Sequence, residues 1–267
     1  CTIRTARTVS FCPISPAGVT MPKQDFGKIY YNQTPAQYIS VLTPLDYGHY
    51  HDRLNVMIHD EMLALNDQVV SVELGSSYGN TTISYRCGYD WEKTSEFWLD
   101  DSKPVEDKRP IKVIGVDISA EALQFGKDRG IFQEIVVHDF KDPFGEKIDF
   151  TNSNMMISIM TTYYIPTERW LEACYKFLAD RSQPKLLVYN MLMAFDKRNW
   201  SPEVLFAGVP GWRSSTSFDK HRNFSETEKE TRKGCNEAWT LTYFVHFDAL
   251  GDAALGQEKP SKRKRQE

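Results

Sequence analysis

No apolar run in this 267-residue chain reaches the ~18 residues that a bilayer-spanning helix needs, which excludes a membrane-spanning role and leaves the membrane out of its expected partners. Cysteine is scarce. The five present (Cys1, Cys12, Cys87, Cys174, Cys235) form no C-x-x-C pair, stand at no zinc-ligand spacing with histidine, and are odd in number. A disulfide framework and a structural metal are therefore not expected, and the chain reads as intracellular and reduced. Basic charge is also short. The net charge is −4, and residues 258–267 alone hold five bases and two acids, leaving 27 bases against 34 acids, or −7, in the rest. A body this acidic suits neither a phosphate backbone nor a polyanion, so nucleic acid is not an expected partner. There is no repeat of solenoid period either.

What is present is ordinary for a globular protein: 41% hydrophobic and 25% charged residues, enough for one large α/β domain. Residues 1–20 carry Arg4 and Arg7 and no acid, a composition like that of a transit peptide but without a clear amphipathic helix, and are taken as a flexible segment. The stretch 21–66 is polar and tyrosine-rich, then turns helical where Leu54, Met57, Ile58, Met62 and Leu65 fall at helical spacing; it is expected to form lid helices ahead of a sheet. Residues 251–267 form a basic tail. It has the composition of a nuclear-import signal, although such an end is more often a solvated extension, and the expected location is cytoplasmic. The sequons at Asn32, Asn80 and Asn223 are read as chance matches.

Between these ends the pattern alternates. Strands are expected at 69–74, 111–117, 133–137, 154–160 and 185–191, with helices from about Asn80, over "SAEALQFGKDRG" with Ser119 as N-cap, and over "PTERWLEACYKFLAD". A helix near 201–207, a polar stretch and an apolar strand at 239–247 follow. Strand and helix in alternation give a doubly wound, Rossmann-like α/β sheet, mostly parallel, with a last strand free to return antiparallel. Residues 67–250 make this domain, and the acidic, proline-containing run at about 89–110 is expected as a surface insertion.

In such a sheet, ligands bind beyond the carboxyl ends of the strands. The first loop there reads "VVSVELGSSYGNTT": an acid, Glu73, then Gly75 and Gly79 flanking Ser76, Ser77 and Tyr78. Glycine allows a tight turn and close backbone approach, and the following helix would aim free N–H groups at the same spot. Asp117 ends the second strand, where a carboxylate can accept two ribose hydroxyls. Asp139 and Phe140 follow the third, an acid for an adenine amino group beside a ring for its face. Together they describe an adenosine site. A nicotinamide enzyme would show G-x-G-x-x-G for its pyrophosphate; here the turn is G-x-x-x-G, and Glu73 would be well sited near an ammonium or sulfonium group.

The runs "VELGSSYGNTT", "VIGVDIS" and "HDF" resemble the class I S-adenosylmethionine-dependent methyltransferases over about residues 65–195, extending to the final strand. That resemblance implies S-adenosyl-L-methionine as cofactor, S-adenosyl-L-homocysteine as product, and a cofactor site made by Glu73, Gly75, Ser76, Ser77, Gly79, Asp117, Ile118, Asp139, Phe140 and Met160. Two features depart from the family pattern. Gly75 and Asp117 are 42 positions apart, about twice the usual gap, so the acidic run must be looped out. "SIMTTYYI" lacks the Asn/Asp-Pro-Pro-Tyr/Phe motif of amino-methylating nucleic-acid enzymes, which leaves an O, N or S nucleophile on a small molecule or short peptide as acceptor. If a base is needed, Tyr164, His51 and Asp46 are the candidates by loop position. An NAD(P)-dependent oxidoreductase and a non-catalytic binding module of the same fold are the alternatives.

Overall fold

Five apolar runs with few charges pair side by side in the computed structural model, which describes residues 36–37, 54–64, 68–100, 105, 109–192, 200–221 and 238–250. They are β1 (Val69–Leu74), β2 (Ile111–Asp117), β3 (Glu134–Val137), β4 (Met155–Ser158) and β5 (Lys185–Leu192), all parallel to their neighbours. Two more strands, β6 (Trp212–His221) and β7 (Ala238–Phe247), complete a seven-stranded sheet of order β3-β2-β1-β4-β5-β7-β6. Strand β7 lies antiparallel between β5 and β6, with Asn190 opposite Thr242 and Lys185 opposite Phe247. This is the Rossmann-like sheet expected, with its returning strand.

The central strands are mostly apolar because both sheet faces are covered. One face packs Val69, Val113, Met155, Ile157 and Val188 against Ile83 and Tyr85 of α1 (Asn80–Cys87), Leu123 of α3 (Ala120–Asp128), and Leu54, Ile58 and Met62. Those last three belong to a segment that is α-helical over 54–57 and continues as a π-helical turn, Ile58–Leu63. The opposite face packs Val72, Val116, Met156 and Leu187 against Trp170 and Phe177 of α4 (Thr167–Leu178), joined by Trp200 and Phe206. In α3, Ser119 accepts from the Ala122 N–H at 3.2 Å, the N-cap its sequence implied.

Two expectations need correction. The first part of the polar run beyond the fifth strand is itself a strand, β6, preceded by one helical turn, Pro202–Leu205, and the rest, 222–237, lies outside the described residues. As an edge strand it pairs on one side only, so its outward residues Arg213, Ser214 and Thr216 are exposed, and a polar edge hides the usual apolar signal. The second concerns the run at 89–110. It carries helix α2 (Trp91–Leu99), N-capped by Asp90, whose carboxylate accepts from the Lys93 N–H. Phe97 and Trp98 of α2 are buried in the core rather than looped out. Arg129, the C-cap of α3, holds them, its guanidinium 4.1 Å from the Phe97 ring and 5.4 Å from Trp98.

Among the described residues no helix is long and apolar enough to cross a membrane, no cluster of His, Cys, Asp and Glu forms a metal site, and Cys87 and Cys174 are buried. Trp98→Ala is expected to lower unfolding free energy by about 3–5 kcal/mol in urea melts, as for other fully buried aromatics. A loss under about 0.5 kcal/mol would mean that α2 sits on the surface after all.

Candidate functional site

The loop after β1 owes its shape to three left-handed residues, Gly75 (φ 76°), Ser77 (φ 49°) and Gly79 (φ 93°). Its backbone donors are already engaged. The Gly75 and Ser76 N–H groups both donate to the Val116 carbonyl, at 2.7 and 3.2 Å, and the Gly79 N–H to Ser76 O at 2.8 Å. The Ser77 N–H donates to Asp117 Oδ2 at 2.9 Å. Three of these loop amides are thus taken by β2 and one by the loop itself. What the loop retains is its hydroxyls, since Ser76 Oγ and Ser77 Oγ are buried and lack a hydrogen-bond partner among the described residues. Unpartnered buried hydroxyls call for a guest that can hydrogen-bond.

Asp117 stands at the end of β2 and is partly exposed. Its second oxygen, Oδ1, accepts from the Ser119 N–H at 2.9 Å, so one carboxylate braces both the glycine loop and the start of α3. Burial pushes its pKa up, and the N–H groups of Ser119, Ser77 and Ile118 pull it back. Each carboxylate oxygen keeps a lone pair for a further donor. Ile118 beside it is 52% exposed, an aliphatic surface next to an acid. After β3, Asp139 accepts from the Lys141 N–H at 3.0 Å in a tight turn, and Phe140 is half-buried with its ring centre 6.0 Å from that of Phe144.

The loop after β4 faces the glycine loop directly. Thr161 is seated on Gly75, where an added Cβ would meet Thr161 Oγ1 at 2.0 Å, so no other residue fits at 75. Met160 is left-handed (φ 57°), and its N–H donates to Asn190 Oδ1 of β5 at 2.7 Å. Tyr163 and Tyr164 follow with ring centres 4.2 Å apart, and Tyr164 is 42% exposed. Sequence reading missed Thr161, Asn190 and the pair Thr82–Tyr85. Only Asn190 left a signal, an amide inside the apolar run "KLLVYNM".

Glu73 is not turned toward an open ligand space as its place in the sequence implied. It is buried, and its Oε2 accepts from the hydroxyls of Thr82 and, at 3.1 Å, Tyr85, which also lies 3.2 Å from Ser71 Oγ. Burial raises its pKa from 4.5 to about 7; the two hydroxyl donors oppose this, and the charge of Asp117 adds to it. Tyr85 is itself pushed well up by burial and then by Glu73. The remaining candidate bases, His51 and Asp46, lie outside the described residues, as do most of the proposed lid and the basic tail.

No protein-family model matches the chain, and no curated protein matches it. Solved structures similar to it include the N-methyltransferase NodS from Bradyrhizobium japonicum with S-adenosyl-L-homocysteine, at 9% identity over 79% of this chain and 98% of that one, TM-score 0.44. A geranyl diphosphate methyltransferase with GPP and sinefungin aligns at 12% identity over 85% and 98%, TM-score 0.46. A TehB-like SAM-dependent methyltransferase from Corynebacterium glutamicum aligns at 13% over 80% and 96%, TM-score 0.43. Identities this low say nothing of chemistry or substrate.

The environment of Glu73 has a measurable consequence. Between the unfolded value near 4.5 and the folded value of about 7, the unfolded chain ionises first, so stability falls as pH rises through that window and stays lowered above it. The full effect is on the order of 3 kcal/mol. Glu73→Gln removes the titration, so the parent should lose stability relative to the variant between about pH 5 and pH 8 in urea melts. A difference independent of pH would show that Glu73 ionises normally in the fold.

Proposed function

We propose that the chain is an S-adenosylmethionine-dependent methyltransferase acting on an O, N or S nucleophile of a small molecule or short peptide. The observation that carries this reading is the state of the glycine loop: the amides of Gly75, Ser76, Ser77 and Gly79 are engaged by Val116, Asp117 and Ser76, while its two serine hydroxyls are buried and open to a guest. A pyrophosphate needs free loop amides. An adenosine joined to a neutral thioether or sulfonium needs acceptors and hydroxyls, which this edge supplies, and that disfavours a nicotinamide dinucleotide.

In this reading Asp117 would hold the ribose hydroxyls, Ile118 and Phe140 the faces of the adenine, Asp139 its amino group, and Ser76 and Ser77 the amino-acid part beside the Gly75–Thr161 contact. The cofactor supplies an activated sulfonium methyl, which leaves the chain to exclude water and align the nucleophile with the methyl carbon and sulfur. Glu73 acts here as a buried brace rather than as a contact. Tyr164, exposed beside Thr161, is the described residue best placed to meet an acceptor's proton. The acidic body favours a neutral or cationic acceptor, and the aromatic and hydroxyl groups of Phe26–Asp52 have the chemistry of a pocket wall for a small, partly apolar one.

S-adenosyl-L-homocysteine should bind and raise unfolding free energy by about 2.7 kcal/mol at a hundredfold excess over Kd. No heat in titration calorimetry and no melting shift at millimolar ligand would remove the assignment. Asp117→Ala should weaken that binding by about 2–4 kcal/mol, since it deletes charge-assisted ribose bonds and also releases the Ser77 N–H. Equal affinities would reduce Asp117 to a brace for α3.

A chain lacking residues 1–52 is expected to lose methyl transfer while keeping cofactor affinity, and one lacking 258–267 to keep both. Full transfer without 1–52, or activity on RNA that vanishes with the basic tail, would overturn the small-acceptor reading.

A further inference from the structure

Asn190 is fully buried at the carboxyl end of β5, the only amide side chain in an apolar strand. Its orientation is settled by its partner: the Met160 backbone can only donate, so the oxygen of the side chain faces it, at 2.7 Å. The nitrogen, Nδ2, then has no hydrogen-bond partner among the described residues, and neither has Oγ1 of Thr242, also fully buried, which stands opposite Asn190 on β7. A leucine would fill this position without burying an unpaired amide nitrogen, but it would strip the Met160 N–H of its acceptor. Packing therefore does not account for Asn190, and the bond to Met160 does.

Met160 is in the left-handed region, which a methionine adopts only when held there. That turn of the backbone delivers Thr161 onto Gly75, itself left-handed, at a contact too close for any Cβ. The chain of contacts runs without a gap from Asn190 to Met160, to Thr161, to Gly75.

We propose that Asn190 is a positioning residue: by holding Met160 in its left-handed conformation it seats Thr161 on Gly75 and so sets the shape of the Gly75–Gly79 loop, which it never touches. The role in shaping the loop stands on the geometry alone. Its consequence for S-adenosyl-L-homocysteine rests on the methyltransferase reading, in which a loop released from Thr161 binds the ligand less well although every residue in contact with it is intact.

The test is amide exchange of the unliganded full chain, read residue by residue. Asn190→Leu, which keeps volume and removes the acceptor, should speed exchange at residues 75–79 by about tenfold or more while β2 and β3 keep their protection. Asn190→Asp, which returns an oxygen to the same branch, should restore protection in mildly acidic buffer. Thr161→Ala cuts the relay at its other end and should reproduce the Leu phenotype even if Asn190→Leu does not fold. In calorimetry, Asn190→Leu and Thr161→Ala should each raise the Kd for S-adenosyl-L-homocysteine by about tenfold, against an unchanged Kd for Asn190→Asp. Exchange at 75–79 that stays unchanged, or rises equally across the sheet, would overturn the proposal. Failure of the unsubstituted chain to bind the ligand would instead overturn the methyltransferase reading, and the exchange results would still decide the role of Asn190.

Discussion

The carboxyl edge of this sheet depends on one contact, the side chain of Thr161 lying against the bare α-carbon of Gly75. Strands β1 and β4 are neighbours, yet the chain leaves them for opposite faces, α1 on one side and α4 on the other, and loops that diverge in this way open a crevice. Here the two loops are pinned together by that contact. The pin requires a residue without a Cβ on one side and a β-branched side chain on the other, and both backbones adopt left-handed conformations to bring them together, at Gly75 and at Met160. With Ser77 and Gly79, four left-handed positions lie at this edge, among them both of the non-glycine ones in the described residues. Backbone strain gathered in one place is tolerable only where surrounding contacts over-determine it, and Val116, Asp117 and Asn190 provide them.

Two carboxylates on adjacent strands divide the remaining work. Glu73 is enclosed, accepts from two hydroxyls, and has its proton affinity raised by burial; Asp117 is nearer the solvent and receives backbone N–H groups, which hold its charge in place. The charge of Asp117 adds to the cost of ionising Glu73. The difference in environment decides their roles: a carboxyl satisfied by its own helix braces α1 under β1, while one that offers spare lone pairs at the surface can take a ligand's hydroxyls.

Most of this fold was legible because the central strands are covered on both faces and so have continuous apolar runs, bounded by Gly75, Asp117 and Pro184. The signal failed where covering was one-sided, as in β6, whose Ser and Thr residues suit an exposed edge and a loop equally well. It failed again in α2, where the five polar and charged residues outnumber the four apolar ones, although two of those four, Phe97 and Trp98, are core. At the site, residue types announced Gly75, Gly79, Asp117 and Asp139. Nothing announced Met160 as left-handed, because its conformation comes from Asn190, 30 residues away, and not from its own side chain. Glu73 was found by position but not by environment: the hydroxyls that enclose it, on Thr82 and Tyr85, look in sequence like two ordinary helix residues.

The long gap between Gly75 and Asp117 shows why spacing alone is a weak guide to such a site. Twice the usual number of residues separates them, yet Asp117 Oδ2 still meets the Ser77 N–H at 2.9 Å. The added chain is absorbed because both of its ends are clamped to the sheet and its middle is tied down by Arg129, which lies over Phe97 and Trp98 and donates to the Asp100 carbonyl at 3.1 Å. The entropic penalty of closing a loop grows only with the logarithm of its length, about 0.6 kcal/mol per doubling, and burying two aromatic side chains outweighs it. The insertion therefore adds a helix to the core while Asp117 still meets the glycine loop. What the site requires is the register of β1 against β2, with Glu73 opposite Gly115 and Leu74 opposite Val116, and that register is set by the strands themselves.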